Sequence, residues 1–123
     1  MQQELLLKDL CTRFPYGVIV RADEINIAGK LIDINIPYNI VSIRIDVQSG
    51  EYTPVPISDV KPYLWPMSSM TEEEIDYVER HFHYTGYNDW DYVDWLNKHY
   101  FDYRGLIEKG LSLEAPKGMY KTE

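Results

Sequence analysis

The sequence predicts an α+β protein: an N-terminal helix, a small antiparallel sheet or SH3-like, partly open barrel of four or five strands, then a C-terminal α-helical hairpin with a short third helix. Two changes of hydrophobic period carry this reading. Apolar residues recur at helical spacing over residues 2–14, at every second position over much of 16–57, and at helical spacing again from residue 71. A chain of 123 residues fits one domain, with residues 1–66 forming a helix-plus-sheet module and 67–123 a helical module packed on it. With 45% hydrophobic and 26% charged residues, the composition is that of a globular chain, not a disordered one.

In the first helix, Leu6, Leu7, Leu10, Cys11 and Phe14 fall on one face. "FPYG" ends it, because Pro15 disfavours helix at Phe14 and Gly17 permits a turn. "YGVIVRA" is the first strand. In "IDINI" the residues Ile32, Ile34 and Ile36 share one side, and in "VSIRIDV" so do Val41, Ile43, Ile45 and Val47, as a half-buried antiparallel sheet requires. "PYN" at 37–39 and "QSG" at 48–50 are the turns. "EYTPVPI" fits only an edge strand, since Pro54 and Pro56 cannot donate to a ladder. "SDVKPYLWP" reads as a short turn or 3₁₀ segment with an extended exit.

"MTEEEI" is a helix start. Thr71 and Glu74 have capping-box spacing, Met70 and Ile75 occupy the staple positions, and Glu72 and Glu73 suit the positive end of the helix dipole. Ile75, Val78 and Phe82 make its inner face, and "YTGY" stops it, with Gly86 at the left-handed position and Tyr87 reaching back over Phe82. The next helix, "NDWDYVDWLNKHYF", starts from Asn88 or Asp89 and carries Trp90, Val93, Leu96 or Asn97, and Tyr100 as its stripe. Asp102 is placed to cap a third helix, "YRGLIEK", ended by Gly110, and the tail beyond Pro116 docks through Met119 and Tyr120.

Charge narrows the function. The net charge is −8, and residues 71–94 hold eight acids against Arg80 alone. Affinity for a nucleic-acid backbone comes largely from neutralised phosphates, so direct nucleic-acid binding is not expected. No apolar run approaches the ~20 residues that span a bilayer. "MQQELLLKDL" has no basic leader and no small-residue cleavage site, so a signal peptide is not expected. Cys11 is the only cysteine, which excludes an intrachain disulfide and a cysteine-based zinc site and agrees with a reducing compartment. The expectation is a soluble, cytoplasmic protein.

Residues 80–105 gather nine of the seventeen aromatics and all three histidines. His81 and His83 lie roughly 200° apart around a helix, so they do not converge on one ion. Rings at helical spacing among Asp89, Asp91, Asp94 and Asp102 suit a packed core better than a base-stacking groove, which is positively charged. Cys11 reads as a small buried hydrophobe. There is no Gly-x-Ser-x-Gly elbow, Walker loop or dinucleotide fingerprint, so no catalytic residue, cofactor or metal is expected.

The run "DWLNKHYFDYRGLIEKGLSLEAPKGMY" at 94–120, with "KPYLWPMSSMTEEE" at 61–74, resembles small uncharacterised proteins of gut anaerobic bacteria and their phages or prophages. The resemblance spans about half the chain. It implies a bacterial or mobile-element origin and an intracellular setting, and it transfers no activity.

Together these observations favour a non-enzymatic interaction or regulatory module. Its partner would be a protein with a basic surface, met by Glu72, Glu73, Asp76, Glu79, Asp91 and Asp94. Two rivals are an acidic nucleic-acid mimic that blocks a host DNA-binding protein, and a small enzyme with a histidine–carboxylate site in the helical half.

Overall fold

Helix α1 (Gln2–Arg13) opens the chain, in a computed structural model that describes residues 2–45, 48–83 and 89–120. A 3₁₀ turn at Phe14–Tyr16 ends it, closed by Gly17 at φ +76°. Strands β1 (Ile19–Ala22), β2 (Ile27–Asn35), β3 (Ile40–Arg44) and β4 (Tyr52–Pro56) follow as antiparallel neighbours. A 3₁₀ turn at Ile57–Asp59 leads into β5 (Val60–Pro66), which returns to pair antiparallel with β1. Two short strands, β6 (Phe101–Asp102) and β7 (Leu113–Glu114), add to β5 in parallel. The result is an open, mostly antiparallel seven-stranded sheet in the order β4-β3-β2-β1-β5-β6, with β7 also on β5.

The α+β class and the N-terminal helix stand as expected, while the sheet is larger than four or five strands. Residues 60–66 are a paired strand rather than an extended exit, with Pro62 opposite Val20. The proline-bearing β4 lies at an edge, as a strand lacking two ladder donors must.

Alternation in β2 departs from the simple reading. The register shifts between Leu31 and Asp33, so Ile32 is the extra residue of a bulge. Leu31 then faces the buried Ile43, and Ile34 faces the buried Val41. Ile36 lies just past the end of β2, in the turn to β3, and is exposed. The core consists of Leu6 and Leu10 of α1 with sheet residues such as Val20, Leu31, Ile43 and Leu64.

In the C-terminal half, α2 (Glu72–Val78) starts on the expected capping box. Thr71 Oγ1 accepts from the Glu74 N–H at 3.1 Å, and Glu74 Oε1 accepts from the Thr71 N–H at 2.8 Å. The helix then widens into a π turn at Glu79–His83. Val78 and Phe82 are buried as expected, but Ile75, ahead of the π turn in the regular helix, is exposed. The expected stop at Gly86 and Tyr87, the cap at Asn88, and Asp46 and Val47 of the strand run lie outside the described residues. Helix α3 (Asp89–Lys98) is followed two residues on by Tyr100 at φ +64°.

The short helix expected at "YRGLIEK" does not form. Asp102 therefore caps no helix; it closes the loop instead, its Oδ1 accepting from the Leu106 N–H at 2.8 Å and its Oδ2 from the Ile107 N–H at 2.9 Å. Gly105 and Gly110 both take left-handed φ, and residues 103–110 are turns that place Leu106 in the core. The tail does dock: the Tyr120 hydroxyl lies between β1 and β5, accepting from the Ile19 N–H at 2.8 Å and within reach of the Tyr63 carbonyl at 2.8 Å.

Candidate functional site

The six carboxylates singled out by charge are all on the surface. Glu72, Glu73 and Asp76 stand on α2, Glu79 begins the π turn, and Asp91 and Asp94 stand on α3; each is exposed. Asp76 holds Arg80 at 3.1 Å in an exposed ion pair. Helical spacing places Glu72, Ile75, Asp76 and Glu79 along one side of α2, where they line an open groove with Arg80. On α3, Asp91 and Asp94 flank Trp90, which is 76% exposed although periodicity placed it in the packed stripe.

Beside these carboxylates the rings pack on one another, with Tyr77 and His81 still exposed. The Trp95 ring stacks near-parallel on Tyr77 and on Phe101, both at 5.8 Å between centroids, and on His99 at 4.4 Å. His81 continues the stack over Tyr77 at 3.9 Å. Pairs of this kind contribute about 0.5–1.5 kcal/mol each beyond area burial. His81 and His99 each place Nδ1 at 2.9 Å from the carbonyl four residues back. Among the described residues no three His, Cys, Asp or Glu side chains converge as ion ligands. The cavity that His99 lines, with Glu74, Trp65 and Lys117, holds no second described histidine. The His83 side chain lies outside the description.

Cys11 is exposed, not buried. The buried side of α1 runs Leu6, Asp9, Leu10, Arg13 instead. Asp9 and Arg13 are wholly buried, with Arg13 Nε donating to both Asp9 oxygens at 3.0 Å. Arg104 donates to Asp9 Oδ1 at 2.7 Å, and Arg13 Nη2 donates to the Phe101 carbonyl at 2.6 Å. Tyr103 lies between the two guanidinium groups, with its hydroxyl on Asn97 Oδ1 at 3.0 Å. This cluster ties α1 to α3 and to the turn beyond it.

A second group had no local sequence signal. Lys30 and Arg44 face each other across β2 and β3, beside Tyr16, Tyr100 and Tyr120 in an open cleft. Residues so far apart in sequence meet only through the sheet register. Burial pushes the Tyr120 hydroxyl well above the usual tyrosine range, with the Ile19 backbone hydrogen bond pulling partly back, and burial likewise raises Tyr100.

No described helix is long and apolar enough to cross a membrane. No family model matches the chain, and no curated protein or solved structure matches it.

Proposed function

We propose that this chain is a non-enzymatic interaction or regulatory module of a bacterium or its mobile elements, working in the cytoplasm. In this reading the acidic surface of α2 and α3 docks on a basic protein. One observation supports it above the rest: exposed Trp90, Ile75 and Tyr77 stand among exposed carboxylates on the two helices. Large apolar side chains ringed by charge are the composition of a protein-binding surface, where aromatic anchors supply affinity and the charged rim supplies steering. Isolated solvated helices have no need of a tryptophan in that position.

The test is quantitative capture from a bacterial lysate with two baits, the native chain and the Glu72→Gln/Glu73→Gln/Asp76→Asn variant. A basic protein held by the first bait, released by salt and bound at least tenfold more weakly by the second, is the expected result. Equal retention by both baits counts against the acidic surface. Release of the captured protein by duplex DNA would instead favour the mimic.

A further inference from the structure

Independently of the acidic surface, the sheet carries a cationic cleft of about 550 Å³ where β1, β2 and β3 meet the C-terminal tail. That is the size of an ordinary small-molecule pocket. Lys30 on β2 is directly opposite Arg44 on β3. Like charges opposed across neighbouring strands are unfavourable. The chain has twenty carboxylates, yet among the described residues neither cation has an ion-pair or hydrogen-bond partner. Arg13, Arg21, Arg80 and Arg104 each hold a carboxylate; Arg44 does not. Its Nε is buried and unpartnered. Arg44 nevertheless lines the cleft, so a guanidinium with no carboxylate of its own stands at its wall.

The surroundings keep the cations in place and add an apolar wall. A Cβ at Gly17 would come within 2.7 Å of Lys30 Cε, so glycine there leaves room for the lysine stem. Tyr100 and Tyr120 stack at 3.7 Å between centroids. Their hydroxyls are engaged inward, by the Tyr16 carbonyl and by β1 and β5, so ring surface lines the cleft beside Met119. Tyr100 holds a left-handed backbone, of the sort that persists only where surrounding contacts over-determine it.

We infer that this cleft binds a small organic anion, with its phosphate or carboxylate between Arg44 and Lys30 and an aromatic or aliphatic body against Tyr100, Tyr120 and Met119. Guanidinium and ammonium donors are the side chains that recognise such oxyanions.

The experiment is an amide NMR titration of the full chain at low salt with phenyl phosphate, benzoate and inorganic phosphate. Saturable shifts at Gly17, Ile19, Gly29, Lys30 and Ile45 are expected with phenyl phosphate or benzoate. The tighter of the two identifies the head group, and inorganic phosphate should bind at least tenfold more weakly than either. Lys30→Gln, an exposed change that leaves the core untouched, should weaken binding about tenfold, and so should Arg44→Gln, each with its melting transition retained. No shift with any probe at about 10 mM would overturn the inference. So would affinities unchanged in both variants. Inorganic phosphate binding as tightly as phenyl phosphate would overturn the role of the tyrosine wall.

Discussion

Asp9 and Arg13 show how far a single residue's environment can depart from its local pattern. Read locally they are an ordinary i,i+4 surface pair on a helix. They are buried because Arg104 and the Phe101 carbonyl, some ninety residues away in sequence, supply the partners a buried charge needs. Nothing in the first helix encodes that, which is also why its apolar spacing places Cys11 on the wrong side. Removing one member of a buried pair leaves the other uncompensated, so Asp9→Ala should cost about 3–5 kcal/mol in denaturant unfolding. A loss below about 1 kcal/mol would mean the cluster is solvated. Tyr120 makes a prediction in pH. Its folded-state value lies above the ordinary 10.0, so above about pH 10 the unfolded chain loses this proton first. The stability it contributes is fully present below that pH and is lost as pH rises further, by up to about 1.4 kcal/mol per unit. Tyr120→Phe should lower stability near neutrality and flatten this alkaline decline.

At the scale of elements, the sequence was most legible where the determinants are local. The capping box at Thr71 and Glu74 formed as its spacing implied, and Thr71→Ala should cost about 1 kcal/mol. The edge position of β4 followed from its prolines. Legibility failed where the period broke: Ile32 is the extra residue of a bulge, Ile36 falls in a turn beyond its strand, and Ile75 is exposed although it shares a helical period with buried Val78 and Phe82. It failed again at residues 103–110, where Asp102 caps a turn that Gly105 and Gly110 keep from propagating. Gly29 is the sharpest element-level test. A Cβ there would stand 2.1 Å from the Arg44 carbonyl, so β2 and β3 could not keep their spacing. Gly29→Ala should therefore destabilise by about 1–3 kcal/mol or more, as overpacking does, and should disturb Arg44 with it. A thermal melt unchanged from the native chain would contradict that packing.

For the whole molecule, charge and topology divide the surface between opposite chemistries. The sequence charge run at 71–94 led directly to exposed carboxylates on α2 and α3. It did not show that Trp90 and Ile75 would be exposed with them, because periodicity assigns both to an inner face. The cationic cleft was illegible for the opposite reason: its residues carry no motif and meet only once β2, β3 and the tail are in register. A negatively charged chain thus carries an acidic surface on α2 and α3 and, apart from it, a cationic cleft on the sheet. The most direct measurement of the central claim is an amide chemical-shift map of the full chain with the purified, captured basic protein. Perturbations confined to Glu72–Arg80 and Trp90–Lys98, lost in the Glu72→Gln/Glu73→Gln/Asp76→Asn variant, are the predicted result. A map centred on the β3–β4 edge, or one that the variant leaves unchanged, would contradict it.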